Sequence, residues 1–223
     1  MTSLIESVRS STRDILADDD QRFVLWGVGW KTYDTLCRQL ADHPIRLTFD
    51  GTNLEIMSPS LWHEVVSSLL GRFVERAAEH RDIPYASGGS TTFRRHDLLR
   101  GLEPDRCYWI TNESRIRGKR KIDLRIDPPP DLAIEVDITH SSLDRLQIYS
   151  RLGVPEVWRC DGTRLEILLL QPTGEYVGSE HSAAFSFLPA QQLVEFLPVD
   201  ETQGESDCLR RFLEWIRSLR SVD

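Results

Sequence analysis

The sequence predicts a single domain of the mixed α/β class (α+β type), and three observations support this prediction. The chain has 223 residues, which is enough for one domain with a full hydrophobic core. Its hydrophobic content of 40% and charged content of 28% are those of an ordinary globular protein. Along the chain, segments with helical spacing of apolar residues alternate with short apolar runs that are typical of strands.

Charge, cysteines and hydropathy exclude several classes of protein. The formal net charge of −8 argues against a surface coated in positive charge for non-specific DNA binding, although it is compatible with a local basic groove. The four cysteines are isolated and include no CxxC pair, so neither a cysteine zinc site nor a disulfide framework is expected. The N-terminal segment does not resemble a signal peptide, and no apolar stretch reaches the roughly 20 residues of a membrane helix. We therefore expect a cytoplasmic protein.

The N-terminal third is predicted to contain an arm, a helix and a hairpin. Residues 1–22 are polar and end in three aspartates, so we expect a loosely held arm followed by one domain over 23–223. Apolar spacing predicts a helix over Lys31–Leu40. The runs Arg46–Phe49 and Leu54–Met57 flank an Asp-Gly pair, which is a hairpin signal.

The clearest helix follows, in the segment "SPSLWHEVVSSLLGRFVERAAEHR". Ser58 can cap this helix and Pro59 suits its first position, while its valines, leucines and Phe73 form one apolar stripe. Ser141 and Asp144 form a capping-box pattern for a later short helix that Gly153 ends. Strands are expected near 84–86, 90–94, 107–110, 131–139, 156–160, 165–170 and 175–178, and further helices at 190–197 and 207–219.

The strand predicted over 131–139 carries two carboxylates on one face. Because alternate side chains of a strand share a face, its even-numbered residues point to a core, and Glu135 and Asp137 point the other way. Residues two apart on one face lie roughly 7 Å apart. Burying either carboxylate unpaired is costly, and a divalent cation between them would offset that cost. A solvated polar face, or a salt bridge to an arginine, explains the pair equally well.

A second acidic element precedes this strand. Pro104-Asp105 stands just before the apolar run Cys107–Ile110, so we expect Asp105 at the mouth of a strand. Pro-Asp followed by an apolar strand that carries Glu is the pattern of a metal-dependent nuclease. Alone, Pro-Asp is common in turns, which leaves a purely local role open.

Three segments of the chain resemble a known family. "EPDRCYWI", "PPPDLAIEVDITHSS" and "DRLQIYSRLGVPEVWRCDG" look like the Uma-two family of restriction endonucleases, in the PD-(D/E)XK nuclease superfamily. The resemblance runs over residues 30–200, and the GVPEVW segment with its upstream Glu strand is the most specific part. It implies a restriction-endonuclease-like core, with a mixed central β-sheet flanked by helices. It also implies a homodimer that acts on DNA.

The resemblance implies a role for each matching residue. Asp105 and Glu135 match two metal-binding carboxylates, expected to hold Mg²⁺ or Mn²⁺, with the carbonyl of Val136 as a third ligand. Glu64 matches an acidic helix position that often completes such sites. Its alternative role is structural, because the helix dipole favours a carboxylate in a first turn by roughly 0.3–1 kcal/mol.

The chain departs from the superfamily motif at one position. The motif has Lys two residues after the Glu, but Asp137 stands there, and the position from which many family members supply a Lys holds Arg145. Because arginine stays protonated, Arg145 could stabilise charge on the phosphate but could not act as a base. A salt bridge to Asp137, or a plain exposed helix charge, is the alternative.

Several basic residues are candidates for contacts with DNA phosphates, each of which would add salt-dependent affinity. A solvated charged loop over 112–121 is the alternative. His63-Glu64 does not begin a zinc helix, because no second His follows at the HExxH spacing. His140 is expected to be a hydrogen-bonded turn residue, and Tyr149 a core residue. The candidate phosphate contacts are Arg94, Arg95, Arg100, Arg115, Arg117, Lys119, Arg120 and Lys121.

The sequence thus predicts a Mg²⁺-dependent endonuclease acting on DNA. Asp105 and Glu135 would hold the metal, Glu64 and Asp137 would assist, and Arg145 would stabilise charge. The alternative is a weakened member of the nuclease fold that binds nucleic acid or a partner protein without cutting. The missing motif lysine favours the alternative, and the intact carboxylate pair favours the endonuclease.

Overall fold

The computed structural model describes residues 19–139, 141–198 and 202–219. Within these ranges the chain forms two β-sheets with helices packed on them. No helix in the described part is long and apolar enough to cross a membrane. The helices are α1 (Trp30–Gln39), α2 (Leu61–His80), α3 (Glu113–Ile116), α4 (Arg145–Leu152) and α5 (Glu205–Ser218), with 3₁₀ segments at His96–Leu98 and Ala190–Phe196.

Sheet 1 is antiparallel and contains the predicted hairpin. Its strands are β1 (Gln21–Leu25), β2 (Arg46–Phe49), β3 (Leu54–Ser58), β5 (Phe93–Arg95) and β6 (Arg100–Leu102), in the order β1-β3-β2-β6-β5. In the hairpin of β2 and β3, Phe49 lies opposite Leu54, and the Asp-Gly pair forms the turn between them. Helix α1 packs on this sheet around a small core of Tyr33 and Phe49, whose rings stack at 5.1 Å.

Sheet 2 is the mixed central sheet. Its strands are β4 (Ala86–Ser87), β7 (Arg106–Trp109), β8 (Leu132–Val136), β9 (Glu156–Cys160), β10 (Leu165–Leu170) and β11 (Tyr176–Ser179), in the order β11-β10-β9-β8-β7-β4. Strands β8 and β9 run parallel, with α4 between them in the chain, and the other neighbouring pairs run antiparallel. This architecture confirms the predicted fold class, a restriction-endonuclease-like mixed sheet flanked by helices.

Strand β8 lies in the middle of the protein, between two hydrophobic cores. Its even-numbered residues pack with α2 and α5, as the alternation predicted. Ala133, on the other face, packs with Ile148 and Leu152 of α4. All five residues of β8 are therefore buried, and Glu135 lies under a helix rather than on an open polar face.

The caps of two helices differ from the predicted ones. Ser58 ends β3, and Ser60 caps α2 instead, because its hydroxyl accepts a hydrogen bond from the backbone N–H of His63 at 3.2 Å. Asp144 caps α4 by accepting from the N–H of Gln147 at 3.1 Å. Gly153 ends α4 with a φ of 79°, the left-handed conformation that glycine favours.

The N-terminal segment also differs from the expected arm at its C-terminal end. Residues 1–18 lie outside the described ranges, but Asp20 is buried and Gln21 begins β1. Sequence pattern alone missed this strand because charged and polar residues precede it. Arg22 in this strand forms ion pairs with two buried carboxylates, those of Asp20 and Glu55.

Candidate active site

The two carboxylates that the sequence singled out lie in one buried site. Asp105 stands just before β7, and its N–H donates to the carbonyl of Ile134 at 3.2 Å. Its Oδ2 accepts from the N–H of Val136 at 2.7 Å. Asp105 is thus bonded to the residues on either side of Glu135 in the adjacent strand β8. Asp105 is 2% exposed and Glu135 7%.

The second oxygen of Asp105 is surrounded by positive charge. Nε2 of His63 lies 2.8 Å from Oδ1, and Nε of Arg46 lies 3.0 Å from the same atom. Burial alone would raise the pKa of Asp105, but the hydrogen bond from His63 and the charges of His63, Arg46 and Arg145 hold it below its ordinary value. Asp105 is therefore an ionised carboxylate.

His63 links Asp105 to the start of the described chain. Its Nδ1 lies 3.0 Å from Oδ2 of Asp20, whose Oδ1 accepts from the N–H of Ser60 at 2.8 Å. Burial alone would lower the pKa of His63, but the hydrogen bonds with Asp105 and Asp20 raise it to about 9. The imidazole is therefore charged at neutral pH, and both ring nitrogens donate to carboxylates.

The carboxylate of Glu135 has different hydrogen-bond partners, which belong to α4. Its Oε1 accepts from Nη2 of Arg145 at 2.8 Å and from the hydroxyl of Tyr149. Burial and the charge of Asp105 raise the pKa of Glu135, although Arg145 and Tyr149 oppose this shift. Tyr149 is a core residue, as predicted, but its hydroxyl also belongs to the site.

Arg145 is fixed by more than its ion pair with Glu135. Its Nη2 donates to the carbonyl of Glu103 at 2.7 Å, and its Nη1 donates to the hydroxyl of Thr48 in β2. The guanidinium therefore connects α4 with both sheets. This is a salt bridge of the kind left open by the sequence, but with Glu135 rather than Asp137.

Glu64 joins the site through Arg46. Its side chain is 44% exposed, and Oε1 accepts from both terminal nitrogens of Arg46 at 2.9 Å. A cavity of about 320 Å³ opens beside these residues, and Asp105, Glu103 and Arg106 also contribute to its wall. The structure therefore places Glu64 at the entrance to Asp105.

Asp137 holds the loop that follows β8. Its Oδ1 accepts from the N–H of Ser141 at 3.0 Å and lies 3.9 Å from Nη2 of Arg22. Glu55 of β3 fixes the same loop, because it accepts from the hydroxyl of Ser141 at 2.9 Å and from Nη1 of Arg22 at 3.1 Å. Asp137 also borders a small cavity of about 120 Å³ next to Glu135. These contacts favour a role in positioning, and the catalytic role stays a prediction.

Four of the eight candidate DNA-binding residues form ion pairs with acidic side chains of the described residues. Arg94 donates to Asp34 at 3.1 Å, and Arg117 donates to Glu113 at 2.7 Å within and just after α3. The predicted loop over 112–121 therefore includes a helical turn. Arg95 pairs with Asp97 and Lys119 with Asp127, while Arg115, Arg120 and Lys121 are exposed and Arg100 is half-buried. His140 lies outside the described residues.

The donor chemistry of this site fits a hard divalent cation. Asp105, Glu135 and Glu64 offer carboxylate oxygens, which Mg²⁺ prefers. In the part of the chain that the structure describes, no group of three or more His, Cys, Asp or Glu side chains is arranged to hold a metal ion. Instead, guanidinium groups of Arg46 and Arg145 lie against these carboxylates.

The mixed central sheet flanked by helices is consistent with a restriction-endonuclease-like fold. The family model described as "Putative restriction endonuclease" matches residues 30–200. This match covers more than half of the chain, and the chain belongs to that family, Uma2. Families of this class generally use divalent metal ions. The comparison with curated proteins finds no match.

Two groups of the site escaped the sequence analysis. Arg46 and His63 both contact Asp105, yet neither matches a motif that carries chemistry on its own. His63 has no second His at the spacing of a zinc helix, and a lone His carries no motif. In the sequence, Arg46 is a single charged residue at the start of a short strand. A half-buried charge at such a position requires an acidic partner.

Proposed function

We propose that this protein is a Mg²⁺- or Mn²⁺-dependent endonuclease that hydrolyses phosphodiester bonds of DNA. The observation that carries the proposal is the burial of two carboxylates side by side in a Uma2 chain: Asp105 accepts a hydrogen bond from the N–H of Val136, the residue after Glu135. A cavity beside Asp105 offers space for a substrate group. A protein that used these carboxylates only for stability would gain little, since buried ion pairs contribute weakly to stability.

The proposed metal ligands are Asp105, Glu135 and the carbonyl of Val136, with Glu64 assisting. A bound Mg²⁺ would polarise a phosphate oxygen and help to ionise the attacking water. Asp105 suits this role because its neighbours keep it ionised. Glu135 is held in a fixed orientation by Tyr149, so it is preorganised for an ion or for substrate.

Arg145 supplies the positive charge that the motif lysine supplies in other members. Because a guanidinium remains protonated, it can stabilise negative charge that develops on the phosphate but cannot accept a proton from water. Its bonds to Glu135, to Thr48 and to the Glu103 carbonyl hold it in place. Asp137 acts indirectly in this scheme, by holding the loop that leads into α4.

The proposed DNA contacts are Arg94, Arg95, Arg117, Lys119 and Lys121. Four of the five, all but Lys121, are paired with acidic side chains in the structure, so DNA would compete with those side chains for the guanidinium and ammonium groups. Binding should therefore weaken as salt rises. A homodimer, as the family resemblance implies, would be recognised by sedimentation equilibrium.

Nicking of supercoiled plasmid in the presence of Mn²⁺ or Mg²⁺ tests the proposal. We expect the wild type to nick the plasmid and Glu135→Gln to lose at least about 100-fold in rate, the size of effect seen when a charge-stabilising group is removed. Glu175→Gln, at an exposed position of the same sheet region, is the matched control and should retain full activity. Equal nicking by wild type and Glu135→Gln would show contamination and refute the proposal.

A second candidate function is binding of nucleic acid without cleavage. It is favoured by a specific observation: both carboxylates are paired with arginines, while Asp137 stands at the position of the motif lysine. A gel-shift titration at several salt concentrations distinguishes the two functions. Salt-dependent binding by a wild type that never nicks DNA with either ion would favour the second candidate.

A further inference from the structure

Arg46 occupies the position between two of the proposed metal ligands. It begins β2 in sheet 1, whereas Asp105 adjoins sheet 2 and Glu64 lies in the first turn of α2. Its terminal nitrogens donate to Glu64 and its Nε lies 3.0 Å from Asp105. One cation thus holds together two carboxylates from separate elements.

Arg46 and Asp105 form an ion pair without a well-aligned hydrogen bond. The Nε–H of Arg46 is buried but makes no hydrogen bond with any residue in the described part of the chain. Burial alone would lower the pKa of Arg46, but the charges of Asp105, Glu64 and Glu135 raise it. The guanidinium therefore contacts Glu64 and Asp105, two carboxylates that a metal ion at the same place would also contact.

Arg46 lies at the wall of an open cavity. Arg46 and Glu64 both line the cavity of about 320 Å³, and the Glu64 side chain is 44% exposed. Arg145, by contrast, is bonded to β2, to the Glu103 carbonyl and to Glu135. Both arginine side chains are largely buried, with 11% of Arg46 and 13% of Arg145 exposed, but the cavity beside Arg46, of about 320 Å³, is larger than the cavity of about 120 Å³ beside Arg145.

We propose that Arg46 competes with the metal ion for Glu64 and Asp105. Arg46 holds these two carboxylates together when no ion is bound and releases them when an ion binds. The same carboxylate oxygens cannot bind a guanidinium and a divalent cation fully at the same time. The two positive groups also repel each other at such short range. Arg46 is thus a positioning residue that sets the affinity for the ion. This inference rests on the proposed metal-dependent function.

Mn²⁺ binding, followed by electron paramagnetic resonance of the free ion, tests the inference without measuring activity. We expect Arg46→Met to bind Mn²⁺ at least about tenfold more tightly than the wild type, because a nearby positive charge is removed. Arg106→Met is the matched control, since Arg106 lines the same cavity but does not contact Glu64 or Asp105 among the described bonds. Its affinity should change by less than about threefold, since the more distant charge is better screened.

Thermal unfolding adds a second readout. Arg46→Met should melt below the wild type without metal, and Mn²⁺ should raise its melting temperature more than that of the wild type. If Arg46→Met does not fold, Arg46→Lys serves instead, because it keeps the charge but cannot hold both carboxylates in a fork. This variant should bind Mn²⁺ more tightly than the wild type, and equal or weaker binding would refute the inference.

The outcomes separate this inference from the proposed function. If the wild type and Arg46→Met bind Mn²⁺ with equal affinity, the proposed competition is refuted and the proposed function still stands. Absence of Mn²⁺ binding by the wild type and by both folded Arg46 variants would overturn the metal-dependent function, and the competition with it. Tighter binding by Arg46→Met than by Arg106→Met supports both.

Discussion

Asp105 and Glu135 lie on neighbouring strands and are buried to a similar extent, yet their pKa values are shifted in opposite directions. His63 and Arg46 contact Asp105, and its pKa is lowered. Arg145 and Tyr149 contact Glu135, but burial and the charge of Asp105 outweigh them and its pKa is raised. The comparison teaches that neighbouring charges, rather than exposure, decide which member of a buried carboxylate pair carries the negative charge most firmly.

The difference also gives the two carboxylates distinct supports. Asp105 is held by residues that begin elements, namely Arg46 at the start of β2 and His63 in the first turn of α2. Among the described residues, the side chain of Glu135 is held by two residues of α4, Arg145 and Tyr149. Changes in α4 should therefore affect Glu135, whereas changes near the N-terminal end of α2 should affect Asp105.

The largest effect is expected from breaking the Glu135 side with Arg145→Met. This change leaves Glu135 buried beside Asp105 without its cation, which costs about 3–5 kcal/mol in the free energy of unfolding. Urea denaturation measures this loss. Arg151→Met, at an exposed position of the same helix, is the control and should be near neutral. The double variant Arg145→Met with Glu135→Gln should recover part of the stability, and a double variant less stable than Arg145→Met would contradict this account.

A smaller effect is expected on the Asp105 side from Asp20→Asn, which removes one charged partner of His63. Burial alone would raise the pKa of Asp20, but the hydrogen bond with His63 and other contacts lower it from 3.8 to about 2. The lowered value means that Asp20 stabilises the fold fully above pH 3.8, and that this contribution is lost as the pH falls through about 2. At neutral pH the loss in Asp20→Asn should be about 1–2 kcal/mol.

Denaturation at several pH values checks this prediction. The stability gap between wild type and Asp20→Asn should be constant near neutral pH and should narrow between pH 3.8 and about 2. Asp19→Asn, at the exposed neighbouring position, should show no gap. A gap that is independent of pH down to 2 would mean that Asp20 does not act through its charge.

The smallest effect is expected from Tyr149→Phe, which removes one hydroxyl donor from Glu135 while Arg145 remains. We expect a loss of about 1 kcal/mol in the free energy of unfolding, measured by urea denaturation. Tyr85→Phe is the matched control, because the Tyr85 hydroxyl also donates to a glutamate but does so at 3.4 Å on the surface. An equal loss in both variants would argue against a special role for the buried hydroxyl.

Local patterns predicted the parts of the fold that depend on local physics. The alternation in β8 placed its even-numbered residues in the main core, and the Asp-Gly pair placed the hairpin of β2 and β3. Asp105 and Glu135 meet because they adjoin neighbouring strands, a relation that the family resemblance implied. The specific roles of these residues remain predictions.

Contacts between distant segments could not be predicted in this way. His63 meets Asp105 across 42 residues of sequence and Asp20 across 43. Neither spacing follows a helical or strand period, so no local rule connects them. The surroundings of Asp137, which stands in the place of a motif lysine, could not be predicted for the same reason. Arg22, which lies beside Asp137, belongs to a strand that periodicity did not reveal.

Strand β1 has a consequence for where the working unit of this protein begins. The segment shared with the Uma2 family starts at residue 30, yet Asp20 and Arg22 precede it and bind His63, Glu55 and the loop after β8. The length of chain that builds the site is therefore greater than the length that the family has in common. In this chain, therefore, a fragment that began at residue 30 would lack partners of His63 and of the loop after β8.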